Sequence, residues 1–209
     1  MKAISGLYAV TPDLADTALL LTRTGAALAG GVKLVQYRNK TAGENLRREQ
    51  ATALRELCRR HDAALIINDH IELAREIDAD GVHVGADDAS IAVARARLGS
   101  GKIIGASCYN NLHQGLSAAA QGADYIAFGS FYASAVKPGA ARAPLSILQA
   151  ARQQVALPLV AIGGITSDNA GELIRAGASA VAVISALFAA PHIEAAARRF
   201  HQLFQVKTV

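Results

Sequence analysis

Gln36, Arg38 and Lys40 alternate at the end of the apolar run 33–37. In an extended strand alternate residues project to one side, so one amide and two cations are directed into a common space. Enclosing such groups is costly unless an anion or a hydrogen-bonding ligand answers them. A diphosphate does so, with Arg38 gripping it through two N–H groups and Lys40 acting as a point charge. Acids stand in the matching places. Asn68-Asp69 follows the apolar run 64–67, and Asp88 follows His83-Val84-Gly85. Neighbouring strands lie about 4.8 Å apart, so carboxylates at their ends can converge on one cation. Mg2+ is commonly held by one or two carboxylates together with substrate phosphates and water. The competing use is helix capping, by Asp69 for a helix near Ile71 and by Asp87 or Asp88 for a helix near Ile91. Two acids beside a cationic pocket favour the metal, with Asp69 and Asp88 as ligands and Asp87 as a spectator.

Gly163-Gly164 and Ile184-Ser185 close two further apolar runs, and Thr166-Ser167-Asp168 reads as a helix start. Bare backbone N–H groups at such turns hold phosphate, and glycine lets the backbone come close. Residues 130–141 form a long connection of small residues with one lysine, Lys137. Such a segment can act as a lid that carries a cation over a bound anion. His83 alternates with valines, which favours a buried, hydrogen-bonded histidine over a catalytic base. Cys108 has no histidine nearby in sequence, which disfavours a covalent cysteine mechanism.

The elements that must position these groups are eight strand-like runs, at 6–10, 33–37, 64–67, 81–84, 102–107, 125–128, 159–162 and 180–184. Stretches with helical spacing separate them, among them 13–29, 44–61, 111–121 and 144–154. Such alternation predicts a parallel sheet with crossover helices. Eight repeats predict closure into a single-domain α/β structure over residues 1–209, a (β/α)8 TIM barrel, with its chemistry at the C-terminal strand ends. A weak echo supports the repeat: Ala29-Gly30-Gly31-Val32, Ala79-Asp80-Gly81-Val82, Gly122-Ala123-Asp124-Tyr125 and Gly177-Ala178-Ser179-Ala180 each precede an even-numbered strand. These read as helix C-caps.

Composition narrows the class. Of 209 residues, 52% are hydrophobic and none is Trp, so aliphatic side chains fill the core. The net charge of +4 is scattered, without the Lys/Arg clusters of a nucleic-acid or membrane patch. Small phosphorylated molecules are therefore the expected partners, with no nucleic acid and no membrane; a homo-oligomer is left open. The two cysteines, Cys58 and Cys108, belong to no metal or redox motif. With no apolar signal segment behind Met1, a reduced cytoplasmic protein is expected.

Taken together, the motifs Gln36-Tyr37-Arg38-Asn39-Lys40, Ile66-Ile67-Asn68-Asp69, Ala79 to Gly85, Ile104-Gly105-Ala106-Ser107, Ala161 to Ile165 and Val183-Ile184-Ser185 resemble the thiamine-phosphate synthase family over nearly the whole chain. The resemblance implies Mg2+-dependent condensation of 4-amino-5-hydroxymethyl-2-methylpyrimidine diphosphate with a thiazole phosphate. By that likeness Gln36, Tyr37, Arg38, Asn39, Lys40, Asn68, Ser107 and Lys137 contact the pyrimidine diphosphate, and Asp69 and Asp88 hold Mg2+. Ser134, Ala135, Val136, Gly164, Ile184 and Ser185 contact the thiazole phosphate. Arg38, Lys40, Lys137 and Ser107 are the expected catalytic set. The chain departs from the family pattern at Val136, where a Thr is usual, at Ala86 for Gln and at Tyr109 for His. A thiazole tautomerase branch of the superfamily lacks the metal-binding acids and carries a His early in the sixth loop; here that loop begins Gly129-Ser130-Phe131. A non-catalytic phosphate-binding barrel is the remaining alternative.

Overall fold

The eight apolar runs are strands, and they close on themselves. The computed structural model describes residues 2–85, 90–133 and 141–205. Strands β1 (Gly6–Val10), β2 (Leu34–Tyr37), β3 (Ala64–Asn68), β4 (Gly81–Val84), β5 (Ile103–Ser107), β6 (Tyr125–Gly129), β7 (Leu159–Ile162) and β8 (Ala180–Val183) pair in parallel in chain order. β8 pairs back to β1, with Leu7 opposite Val181, so no strand edge is left open.

Helices α1 (Thr17–Ala29), α2 (Glu44–Arg60), α3 (Ile71–Glu76), α4 (Ile91–Leu98), α5 (Leu112–Ala120), α6 (Ser146–Gln154), α7 (Ala170–Arg175), α8 (Ser185–Phe188) and α9 (Ile193–Gln205) form the outer ring. Among the described residues no helix is long and apolar enough to cross a membrane.

Strand parity splits the apolar residues into two cores. Tyr8, Val10, Leu34, Ile66, Ile103, Tyr125, Val160 and Ala182 fill the barrel interior. The alternate residues, including Leu7, Val35, Tyr37, Leu65, Val82, Ile104, Ile126 and Val181, pack outward against the helices. Each fully buried Leu, Ile or Val contributes about 1.5–3 kcal/mol. The same parity decides the site: Gln36, two residues after Leu34, shares the inner face, and Tyr37 beside Val35 does not.

Two helix starts differ from the expectation. The first helix begins at Thr17, capped by Asp16, whose carboxylate accepts the Leu19 N–H at 2.9 Å. Asp13 is thereby left in the preceding loop. α7 begins at Ala170, because the Asn169 side chain accepts the Thr166 N–H at 2.8 Å and donates to the Gly164 carbonyl at 3.1 Å, holding 166–169 as a loop. Ser90 caps α4, and His70, not Asp69, precedes α3 without a side-chain cap bond; Asp87 and Asp88 lie outside the described residues.

At the N-terminal end of the barrel, three of the four sequence echoes carry a recurrent clasp. Asp80 donates its N–H to the Leu65 carbonyl at 3.0 Å and its carboxylate accepts the Leu65 N–H at 2.8 Å. Asp124 repeats this with Ile104, at 2.7 Å in both directions. Ser179 repeats it with Leu159, at 2.8 and 3.3 Å. An arginine from the helix two units back engages each: Arg55 to Asp80 at 3.6 Å, Arg95 to Asp124 at 2.6 Å and Arg152 to Ser179 at 2.9 Å.

Candidate active site

The C-terminal strand ends open into a cavity of about 900 Å3, whose walls come from all eight strand ends or the loops that follow them. Gln36, Arg38, Lys40, Asn68, Asp69, Ser107, Gly164, Ile184 and Ser185 line it. Ser134, Ala135, Val136, Lys137 and Asp88 lie outside the described residues. Tyr37 and Asn39 face the other way. The Tyr37 hydroxyl donates to Gln50 at 2.9 Å on the helix side, and its pKa is pushed up to about 12, chiefly by burial. Asn39 donates to the Leu14 carbonyl at 2.8 Å and accepts the backbone N–H groups of Thr41 and Ala42. These two side chains build the loop that presents Arg38 and Lys40.

The cationic side of the cavity is pre-set. Thr11 accepts the Arg38 N–H and donates to the Arg38 carbonyl, both at 2.9 Å. Asp13 takes the guanidinium at 3.1 Å, leaving further N–H groups of Arg38 for a ligand. Lys40 stands exposed at the rim. Neither Thr11 nor Asp13 stands out in the sequence, since Pro12-Asp13 also reads as a helix start.

Asp69 sits at the end of β3 with φ +62°, a left-handed conformation that Asp tolerates better than most side chains. Its Oδ2 accepts from Asn68 Nδ2 at 2.5 Å, which fixes the carboxylate beside the cavity and turns the Asn68 carbonyl oxygen away from that bond. One anchored carboxylate next to a diphosphate-sized cationic site suits Mg2+, which needs few protein ligands. Among the described residues no group of three or more His, Cys, Asp or Glu forms a metal cluster.

The opposite wall is made by glycine. Gly163 and Gly164 have φ +104° and +64°. A Cβ on Gly163 would overlap Ser130, and one on Gly164 would overlap the Ala133 carbonyl. Tyr132 donates its N–H to the Gly163 carbonyl at 3.0 Å, and its hydroxyl bonds Glu172, so the sixth loop is tied to the seventh. Burial and the nearby Glu172 carboxylate both raise the Tyr132 hydroxyl above the ordinary range, keeping it a donor.

The floor is polar, which the strand pattern alone does not reveal. Gln36, 5% exposed, bonds the buried Tyr8 hydroxyl; Tyr8 bonds Tyr125; Tyr125 bonds His83; and His83 bonds Ser107. His83 is thus the buried, hydrogen-bonded histidine that its setting among valines predicts. Burial raises both tyrosine hydroxyls well above their usual range, so both remain protonated. Tyr125 packs edge-on to Tyr8 with centroids 5.9 Å apart and stacks on the His83 ring at 5.5 Å. It fits only because Gly105 beneath it has no Cβ to strike the ring. Cys108 is buried, and its thiol is pushed up to about 12 by that burial, which leaves it a poor nucleophile.

This arrangement has relatives. A profile of thiamine monophosphate synthase matches residues 7–187. The chain belongs to the thiamine monophosphate synthase family. Thiamine-phosphate synthase from Methylobacillus flagellatus is 57% identical over 98% of this chain and 97% of its own length. That from Nitrosospira multiformis is 54% identical over 98% of this chain and 87% of its own. The structure of thiamine phosphate pyrophosphorylase from Pyrococcus furiosus superposes with a TM-score of 0.85 at 35% identity, covering 96% of this chain and 95% of that one. Thiamine monophosphate synthases are transferases of thiamine biosynthesis, and the barrel described above is the family's fold.

Proposed function

We propose that this cavity joins 4-amino-5-hydroxymethyl-2-methylpyrimidine diphosphate to a thiazole phosphate or its carboxylated form, giving thiamine phosphate and pyrophosphate, with CO2 released as well from the carboxylated form. The observation that supports the reading is that two separate sets of groups suited to anions line one cavity of a synthase-family barrel. Arg38 and Lys40 stand at the end of β2, and the glycine turn 163–164 with Ser185 stands at the ends of β7 and β8. A reaction between two phosphorylated substrates needs two such places on one cavity.

The bond between the pyrimidine methylene carbon and the diphosphate oxygen breaks with its electron pair leaving on pyrophosphate. The thiazole nitrogen then gives its lone pair to that carbon, forming the new C–N bond. Arg38, oriented by Asp13, and Lys40 stabilise the charge that accumulates on the leaving group, the contribution that preorganised donors make most effectively. Lys137, in the loop after β6, adds a third cation to the same set. The two walls hold the partners in attack geometry, which replaces a bimolecular encounter by a positioned one. Asp69 and Asp88 would hold Mg2+, which when bound neutralises part of the leaving diphosphate's charge. No step calls for a general base.

The test is direct. Purified protein, both substrates and Mg2+ should release pyrophosphate, with no release when either substrate is omitted. Conversion of thiazole phosphate alone would point instead to the isomerase branch, and binding without turnover to a non-catalytic barrel. Asp69→Ala should lower kcat by about 3–4 kcal/mol of barrel-site stabilisation, several hundred-fold, while leaving the circular dichroism spectrum unchanged. Wild-type rates in that variant would remove the metal assignment.

A further inference from the structure

Gln36 on β2 and Ser107 on β5 both line the cavity, and an unbroken chain of hydrogen bonds joins them beneath it. Gln36 Nε2 donates to the Tyr8 hydroxyl at 2.9 Å, and the Tyr8 and Tyr125 hydroxyls lie 2.8 Å apart. The Tyr125 hydroxyl lies 2.9 Å from His83 Nδ1, and His83 Nε2 lies 2.8 Å from Ser107 Oγ. Each hydroxyl has one proton, and so does a neutral imidazole. The first donor therefore fixes the direction of every later bond. With an amide N–H pointing at Tyr8, the Tyr8 proton has the Tyr125 oxygen as its partner; left unused in a fully buried site, it would carry the full desolvation penalty of an unmade bond. Tyr125 in turn gives its proton to Nδ1. An imidazole that accepts at Nδ1 carries its own proton on Nε2 and donates to Ser107. The Ser107 proton is then left for the cavity.

We propose that this relay couples the hydrogen-bonding character of the two cavity walls: the orientation of the Gln36 amide dictates whether Ser107 meets a ligand as a donor or as an acceptor. In the orientation observed, Gln36 retains its carbonyl oxygen for the cavity and Ser107 offers a hydroxyl proton. Turning the amide over reverses all four bonds, so that Gln36 offers N–H and Ser107 offers lone pairs. Both directions satisfy every buried group in the chain. A mixed state sets two donors or two acceptors against each other and is disfavoured by the same penalty. The ligand class selected has complementary character at its two ends, a donor over Gln36 paired with an acceptor over Ser107, or the reverse. Molecules with two acceptors at those points are rejected in either direction. Tyr8, Tyr125 and His83 are positioning residues in this scheme, acting through Gln36 and Ser107.

The inference rests on the reading of this cavity as the substrate site, but its test needs no substrate. In 15N-histidine-labelled, ligand-free protein, long-range 1H–15N spectra identify which His83 nitrogen bears the proton, with His83→Gln assigning the signal. The wild type should carry it on Nε2. Gln36→Glu replaces the amide by a carboxylate that only accepts, which forces Tyr8 to donate to it; the proton should then move to Nδ1, three hydrogen bonds away. Adding Tyr8→Phe, which keeps the aromatic ring, should abolish that response. Tyr8→Phe alone should turn the single tautomer into a mixture, and this decides the matter if Gln36→Glu does not fold. A wild-type proton on Nδ1 would overturn the orientation assigned to the Gln36 amide, and an Nε2 proton or imidazolium in Gln36→Glu, or an unchanged single tautomer in Tyr8→Phe, would overturn the coupling. Failure of pyrophosphate release would overturn the proposed reaction and leave these spectra unaffected.

Discussion

One carboxylate oxygen of Asp13 binds both the Arg38 guanidinium and the backbone N–H of Lys40, at 3.1 Å in each case. The loop after β1 therefore sets the position of both cations on the loop after β2. Asp13→Ala should free Arg38 to adopt other rotamers and lower kcat/KM for the pyrimidine diphosphate roughly tenfold, the scale of one charge-assisted hydrogen bond of about 1.5 kcal/mol. Asp13→Asn keeps an acceptor and should lose less. Steady-state kinetics with that substrate varied, set beside an unchanged KM for the thiazole phosphate, checks both statements. Equal losses on the two substrates would argue against an orienting role.

The N-terminal clasp at Asp124 should act on stability alone. Asp124→Ala strands the Ile104 N–H in the barrel wall and removes one partner of Arg95, which keeps the Gly99, Lys102 and Gly122 carbonyls, costing about 1–3 kcal/mol. For a chain of this size each kcal/mol corresponds to about 2–4 °C in Tm. Arg95→Ala should cost less, and the double variant less than the sum, because both act on one oxygen. Differential scanning calorimetry measures the shifts, and kcat at 25 °C should be unchanged because active sites of these barrels lie at the opposite end.

Gly164→Ala places a methyl against the Ala133 carbonyl in a left-handed backbone. The strain should push the turn away from the position in which its N–H groups meet a phosphate. KM for the thiazole phosphate should rise roughly tenfold or more, with affinity for pyrimidine diphosphate retained. Isothermal titration with each substrate separates the two walls, and parallel weakening of both would show that the turn supports the whole cavity instead.

Alkaline pH should weaken the fold in a defined window. Burial pushes the Cys58 and Cys108 thiols from 9.0 up to about 12, and the Tyr37 hydroxyl from 10.0 up to about 12. In the unfolded chain these groups lose protons first, so ionisation favours unfolding. Their contribution is flat below about pH 8, and stability falls as pH rises from 9 towards 12, by roughly 1.4 kcal/mol per pH unit for each titrating group. Urea melts at pH 7, 9 and 10 test the sign. Cys108→Ala should flatten the decline by one group's share, and a stability that rose over this range would refute the assignment.

Strand positions are legible in the sequence because each strand is a short apolar run between glycine or polar punctuation. The barrel follows from their number. Parity within the strands is legible for Gln36 and Arg38 but hides Tyr37 and Asn39, whose polar groups look equally available until α2 and Gln50 occupy the outer face. Helix starts at Asp13 and Thr166 are misread because the Asp13 side chain is used on Arg38 and the Thr166 N–H is taken by the Asn169 side chain, which holds 166–169 as a loop. The tyrosine floor could not be read, since Tyr8 and Tyr125 meet across 117 residues of chain. A polar tip on an otherwise aliphatic inward position is the signal that would have exposed it, together with the glycine at 105 that makes room.

The clasps at Asp80, Asp124 and Ser179 each stay within one consecutive helix-strand-helix-strand stretch. A cut in the covalent backbone between β4 and α4, or between β6 and α6, severs none of them, whereas each resulting piece retains its own fastening. The barrel is divisible at those seams, and fragments made there are the ones that should find each other and reassemble.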